Sequence, residues 1–451
     1  MSAPARVCFL PGKAPTWPEM AALAGLLARE GWAQPHMLLA GAPGRAYAAD
    51  CQARGLPSSS LEDAPAEPEP GLGRRAWHKL LLTTGGPAAG LEPLARGLER
   101  VLAHQERLLA QALDHLQPAA VVTADERGFN WELPLIGLCQ RRGIPVIVPP
   151  VSYLADLESL LAFRRDQAHQ AACYPELSAR HPRQVALDPA RQAQVLFYSA
   201  PMTLALERRG LLPPRPWVPG GGGASLLLVD GELTRERCLA LGAKPDKVLV
   251  SGQRSHDELY GRYQEARALK AAEGAETLRR LVLSLPQLAE QGTLDWDSHW
   301  REIRFLAETL AGLPCQSLIS LHPKMDPAKY GFLTSEYGLA IAGRPLAEVL
   351  PSAHVFAATF SSTVAWAALC GIPALVFDFY GFNYRMYDDW TGVRLVKDRA
   401  ALAPELTRLL TDRAYHAGLA AQQESWAARL APFDGFSGQR ILAAIRRQAG
   451  L

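Results

Sequence analysis

Two short stretches hold residue types suited to an anion. One is Ser320-Leu321-His322-Pro323-Lys324, and the other is Ala358-Thr359-Phe360-Ser361-Ser362-Thr363. Each follows an apolar run of strand length, so polar groups begin where a buried strand would stop. The small residues from Ser361 to Leu369 can continue as a helix closed by Gly371. Ser361 or Ser362 is then the expected N-cap. Free backbone N–H groups, hydroxyls and the positive helix end would converge on one spot, which suits a phosphate. If the strand before His322 neighbours the one before Ser361, both ends open into one crevice and a cation faces a phosphate cradle. The plainer alternative is that the serines merely cap a helix and that His322-Pro323 merely ends a strand.

A second set of candidates is acidic. The buried run Ala119 to Thr123 ends in Asp125-Glu126-Arg127-Gly128, and a helix from about Trp131 to Arg142 follows. Adjacent carboxylates at the tip of an interior strand of a βαβ unit sit where catalytic groups are commonly placed. Alternatively, Asp125 caps a turn while Glu126 pairs with Arg127 in solvent. Asp230-Gly231-Glu232 forms a similar acidic turn after the strand Ser225 to Val229.

The elements that would position these groups alternate between strand and helix along the whole chain. Arg6 to Leu10 and His36 to Ala40 read as strands around an amphipathic helix from Trp17 to Glu30. Leu98, Val101, Leu102, Leu108, Leu109, Leu113 and Leu116 recur at helical spacing within a long helix from Leu94 to Leu116. The Pro-rich run Pro213 to Pro216 and the glycines Gly220 to Gly223 read as a mobile connection. The alternation restarts after Gly274, so residues 1–274 and 275–451 are expected to form two domains, with helices closing the second. At 451 residues, two domains are also what length implies.

Composition narrows the function. The 47 basic and 45 acidic residues leave a net charge of +2, which gives no electrostatic case for nucleic acid, and no nucleic-acid motif is present. Seven scattered cysteines never form a C-x-x-C pair, so neither a zinc site nor a disulfide framework is expected. The expectation is a reduced, cytoplasmic setting without a signal peptide. No apolar run is long enough to span a bilayer, so membrane contact is expected to be peripheral, at the inner face, at most.

With these motifs in place, the chain resembles a GT-B glycosyltransferase: an α/β protein of two Rossmann-like lobes with an interdomain cleft. Within that fold, His322-Pro323 and Ser361-Ser362 are similar to the HP and SS motifs of bacterial sialyltransferases, polysialyltransferases and Kdo transferases. The resemblance implies transfer of an ulosonic acid from a CMP-activated donor to a glycan or lipid-linked glycan acceptor, with no cofactor and no metal. It implies that His322, Ser361 and Ser362 contact the CMP phosphate in the C-terminal lobe, and that an acidic residue of the N-terminal lobe is the general base. The nearest match to that acidic motif is Asp125-Glu126-Arg127-Gly128, with Arg127 interposed; Asp230 or Glu232 is the other candidate. Pro323 and Thr363 belong to the same two motifs, and Ser284, Gln287 and Lys324 are placed at strand ends facing that crevice.

Two other readings share the fold. One is a CDP-glycerol-type polyol-phosphate transferase, for which Arg440, Arg446 and Arg447 would supply a basic membrane-facing helix. The other is a hydrolysing UDP-sugar 2-epimerase. Those enzymes carry acidic residues in and just after a Gly-Gly turn, where this chain has Ser361-Ser362-Thr363-Val364-Ala365-Trp366 and no Glu. A non-catalytic scaffold is the remaining class, for which loss of the histidine or of the acidic tip would be expected.

Overall fold

The computed structural model describes residues 4–12, 14–62, 90–151, 157–162, 164–273, 280–359, 361–381 and 390–451. The chain divides into two compact units, Met1–Gln253 with Gly438–Leu451, and Arg254–Ser437.

The first unit is built on β1 (Arg6–Leu10), β2 (Gln34–Ala40), β3 (Ser58–Leu61), β4 (Ala120–Thr123) and β5 (Val146–Val148), with a β6–β7 hairpin (Val185–Asp188, Ala193–Leu196), β8 (Leu226–Val229) and β9 (Val248–Val250). Seven of these strands form one parallel sheet in the order β3-β2-β1-β4-β5-β8-β9. β4 and β8 are buried at every position. That is why they read as unbroken apolar runs rather than as alternating ones.

The helices follow from the same patterning. Trp17–Glu30 ends at Gly31, whose φ of 73° lets its N–H reach Leu27 O at 3.0 Å. Leu91–Leu116 buries Ala95, Leu102, Leu109, Leu113 and Leu116 along one face. The final helix, Ser437–Ala449, inserts Ile441, Leu442 and Ile445 into the core cluster that holds Val7, Phe9, Met20 and Leu23 of the first unit. Its apolar face is therefore spent on the core, while Arg446 and Arg447 stay exposed. No helix among the described residues is long and apolar enough to cross a membrane.

The second unit holds β10 (Arg280–Ser284), β11 (Gln316–Ser320), β12 (Ala340–Ile341), β13 (Val355–Ala358), β14 (Ala374–Phe377) and β15 (Val393–Val396). All pair in parallel in the order β12-β11-β10-β13-β14-β15, the strand order of a dinucleotide-binding sheet.

The division differs from the expected break at residue 274. The helix Ser255–Glu273 counts with the second unit, because Lys270 Nζ donates to Ala353 O and Tyr260 meets Phe433 edge-on at 5.2 Å. Its polar sequence had concealed these anchors.

His256, on that helix, is buried and its Nδ1 has no hydrogen-bond partner among the described residues. Burial pushes its pKa down to about 4. Between that value and the ordinary 6.5 the unfolded chain binds a proton that the folded one refuses, so stability is complete above about pH 6.5 and falls as pH drops. His256→Leu is expected to reduce the stability lost between pH 7 and pH 5 by about 2 kcal/mol. Urea unfolding at the two pH values measures it, and an unchanged difference would refute the assignment.

Candidate functional site

In the second sheet, the chain leaves β10 toward β11 on one side and later returns to place β13 on the other. This reversal opens a crevice at the C-terminal ends of β10 and β13, the usual ligand position in such sheets. Ser284 ends β10 and Gln287 lies three residues beyond; both are half-buried. Ser361, Ser362 and Thr363 follow β13, with Ser362 exposed and the other two half-buried. His322 follows β11. It is not beside the serines as a neighbour of their strand, because β10 separates β11 from β13. Two strand spacings, roughly 10 Å, therefore lie between the two ends, and the β10 loop occupies the middle.

His322 is half-buried, while Pro323 and Lys324 are exposed. The Lys324 backbone N–H donates to His322 Nδ1 at 3.1 Å, and Met325 N–H donates to His322 O at 2.8 Å, closing a turn. Because Nδ1 accepts, the neutral ring carries its proton on Nε2, ready to donate. Burial and the Lys324 charge lower the pKa of His322, and Glu290 opposes them. The shift favours the neutral ring, whereas the sequence had suggested a cation. The ring presents Nε2–H as a single hydrogen-bond donor.

The serine turn also differs from expectation. The helix begins at Val364, not at Ser361, and runs only to Leu369. Ser361 Oγ accepts from Thr363 N–H at 3.3 Å and pairs with Thr363 Oγ1 at 2.7 Å. Val364 N–H donates to Ser361 O at 3.0 Å, and Ala365 N–H to Ser362 O at 3.2 Å. The amides of Thr363, Val364 and Ala365 are therefore engaged inside the turn. What the turn offers is hydroxyl chemistry, chiefly from exposed Ser362. Gly371 closes the segment in the left-handed region, as read from the sequence (φ 63°).

The acidic candidates belong to the first unit, where β1 and β4 flank the corresponding reversal of strand order. Asp125 is presented at the tip of β4, its side chain 44% exposed; Oδ1 accepts from Arg127 N–H at 3.0 Å and lies 3.7 Å from Arg127 Nε. Glu126 points the other way. It is 2% exposed and packs beneath Gly220–Gly223, where a Cβ on Gly222 would stand 2.7 Å from its carboxyl carbon. Burial pushes the Glu126 carboxyl up, and the Gly222 and Gly220 backbones offset part of that. The glycine run is thus a packed cover rather than a mobile connection, since side chains there would collide with Glu126 and Ile136.

Asp230 accepts from Gly231 N–H at 3.0 Å, and Glu232 pairs with Arg235 at 3.5 Å. Both follow β8, two strands away from β4 and off the reversal point.

One carboxylate was overlooked in the sequence. Glu132, in the first turn of the helix Glu132–Arg142, is 3% exposed and reaches back between the loops after β1 and β4. A Cβ on Gly12 would lie 2.7 Å from Glu132 Oε1, and one on Gly128 would lie 2.9 Å from its Cδ. The spacing Gly128-x-x-x-Glu132 was the available signal. Trp296 and Trp300, which by type could stack on a base or sugar, stack on each other at 5.4 Å. Lys13, after Pro11-Gly12, and Arg385 are further candidates for anion contacts by charge, and both lie outside the described residues.

No family model matches the sequence, and no curated protein matches it. Solved structures do match. UDP-GlcNAc 2-epimerase from Neisseria meningitidis, solved bound to UDP-GlcNAc, aligns with a TM-score of 0.56 at 11% identity over 98% of this chain and 100% of that one. UDP-GlcNAc 2-epimerase from Methanocaldococcus jannaschii aligns with a TM-score of 0.51 at 11% identity, over 98% and 99%. MurG from Acinetobacter baumannii aligns at 0.49 and 14% identity over 99% and 100%. The epimerase likenesses, with the two parallel sheets, establish the fold as α/β of the GT-B type.

Gly222→Ala is expected to cost about 2 kcal/mol by forcing a methyl group into the Glu126 carboxyl, and to cost under about 1 kcal/mol in a Glu126→Ala background. Urea denaturation of the four proteins of the cycle measures this. Equal costs in both backgrounds would show that Glu126 is not what requires the glycine.

Proposed function

We propose that the protein is an enzyme acting on a nucleotide-activated sugar, with the nucleotide phosphate bound at the C-terminal edge of the second sheet. The observation that carries the reading is the convergence on one sheet edge of a neutral imidazole donor, His322, the β10 end with Ser284 and Gln287, and the hydroxyls of Ser361, Ser362 and Thr363. These are hydrogen-bond donors, with the Lys324 ammonium two residues from the imidazole, suited to a phosphate that gains negative charge as its bond to the sugar breaks. His322 Nε2–H would donate to a phosphate oxygen and Ser362 Oγ–H to another, while Pro323 and Lys324 hold the imidazole through the turn.

Two finer readings follow. The fold likeness to UDP-GlcNAc 2-epimerases favours an epimerising or hydrolysing enzyme of UDP-sugars over a CMP-dependent transferase. The residues favour the transferase, in which an ulosonic acid passes from CMP to a glycan hydroxyl. Val364–Leu369 carries no carboxylate, and the His-Pro and Ser-Ser pairs occupy the ends of β11 and β13. In the transferase reading Asp125, the acidic candidate with the more exposed carboxylate at the β4 tip, takes the proton of the acceptor hydroxyl; Glu126 is too enclosed for that role.

Thermal-shift titration with CMP, CDP, UDP and GDP tests the proposal and separates the readings. Stabilisation by at least one of them is expected: by CMP under the transferase reading, by UDP alone under the epimerase reading. No shift with any of the four would overturn the proposal. His322→Ala is expected to stay folded and to lose about tenfold or more in affinity for the nucleotide that binds. Undiminished affinity would remove His322 from the phosphate site.

Asp125→Asn is expected to depress turnover with little change in nucleotide affinity. Steady-state kinetics would check this, and an equal loss in Glu232→Gln alone would move the base to the β8 turn.

A further inference from the structure

We propose that Trp296 is the stacking platform for the base of the bound nucleotide, with the Lys329 ammonium meeting the carbonyl oxygens at the rim of that base. The proposal rests on the nucleotide reading given above and names the residue that would recognise the planar part of the ligand.

Topology places the platform. The chain leaves β10 at its C-terminal end, passes through the loop that holds Gln287 and enters the helix Trp296–Ala311, which returns to the start of β11. The first turn of that helix therefore stands at the C-terminal edge of the sheet. His322 leaves the same edge at the end of β11, and two turns carry the chain on to Lys329. Met325 N–H donates to His322 O at 2.8 Å, and Lys329 N–H to Asp326 O at 3.0 Å. Direct contacts join the two segments. Lys329 Nζ lies 4.5 Å from the centre of the Trp296 ring, the Tyr330 ring lies 5.3 Å from that of Trp300, and His299 Nε2 lies 2.8 Å from the Tyr330 hydroxyl oxygen. Trp296 is thus held against the segment that begins with His322.

The indole is held rigidly and yet left in water. Trp300 stacks on it at 5.4 Å with 30° between the planes, and His299 meets it edge-on at 5.5 Å. Trp300 packs in turn on Tyr330, which is fully buried, and on Phe332 at 5.9 Å. Asp295 caps the helix by accepting from Ser298 N–H at 2.8 Å, which fixes Trp296 as its first residue. A row of rings therefore runs from the core to the surface and ends in an indole that is 40% exposed.

Core packing accounts for Tyr330 and Trp300, which are buried by the row, but not for a large ring at its wet end. What such a ring supplies is a flat π-face whose position is already fixed, so little conformational freedom is lost when a second ring settles on it. Lys329 is exposed and carries its ammonium on a flexible stem, so it can move from the ring face to the rim of an incoming ligand. Every base offers a π-face to an aromatic side chain, and stacking of this kind tolerates differences between bases. With its phosphate at His322, a nucleotide has one planar part to place on this edge, and the base is that part.

Isothermal titration calorimetry of the full-length protein with CMP, CDP, UDP, GDP and ribose 5-phosphate tests the inference. Trp296→Ala is expected to weaken the nucleotide that binds about tenfold and to leave ribose 5-phosphate, which has no base, as in the parent protein. Trp296→Phe keeps a ring and is expected to recover most of the loss. Unchanged nucleotide affinity in Trp296→Ala, no recovery in Trp296→Phe, or an equal loss for ribose 5-phosphate would each overturn the inference while leaving the phosphate reading in place. A parent protein that binds none of the four nucleotides would overturn that reading and the inference with it.

Discussion

A parallel sheet buried on both faces has nowhere to put polar chemistry except at its strand ends, because every side chain along its interior strands faces packed apolar groups. That constraint governs both units. β4, β8, β13 and β14 are buried at every position, and apart from buried Thr123 at the end of β4 the first hydrogen-bonding or charged side chains appear one or two residues beyond their last paired positions. In each sheet the first strand is central and the chain departs in opposite directions from it. The loops after β1 and β4, and after β10 and β13, therefore flank the opening of each sheet, and the loop after β11 that carries His322 borders the one after β10. Asp125, Gln287 and Ser361 occupy the flanking loops, and Glu132 opens the helix that follows the β4 loop. Asp230 and Glu232 follow β8 and flank neither opening.

This constraint also explains what was legible in the sequence. The apolar runs before Ser361 and Asp125 are strands buried at every position, whereas the strand before His322 is buried only at Ile319 and Ser320; all three end shortly before the polar groups that mark them as candidates. The left-handed Gly31, Gly143 and Gly371 end their helical segments where the sequence placed them, since few residues other than glycine adopt that backbone. Strand order is another matter. Nothing in the sequence says that β10 inserts between β11 and β13, so His322 and the serines were drawn closer together than the sheet allows.

The remaining differences share a cause: competition among local hydrogen bonds and close contacts that composition does not report. The Ser361 hydroxyl satisfies Thr363 N–H and shortens the helix by three residues, so a run of small residues suited to a helix yields only Val364–Leu369. The glycines after Pro219 have the composition of a linker, yet three of them are glycine because backbone, Glu126 or Ile136 occupies the space of a side chain. Helix Ser255–Glu273 looks solvent-facing by charge, yet it buries Leu259 and Ala266.

The electrostatics of the two units are opposite in sense, and this bears on what each can contribute. In the first unit, burial raises the pKa values of Glu126 and Asp230, which disfavours their charged forms, while Asp125 keeps a carboxylate 44% exposed at the strand tip. In the second, burial and the Lys324 charge lower the pKa of His322, so its edge carries neutral donors beside one lysine. A site of neutral donors pays less to desolvate before a ligand arrives than one built on an ion pair. Its attraction grows as negative charge develops on the ligand, because a hydrogen bond to a charged oxygen is stronger than one to a neutral oxygen. An edge of this kind discriminates between a phosphate before and after bond cleavage, which is the difference a group-transfer or elimination step requires of it.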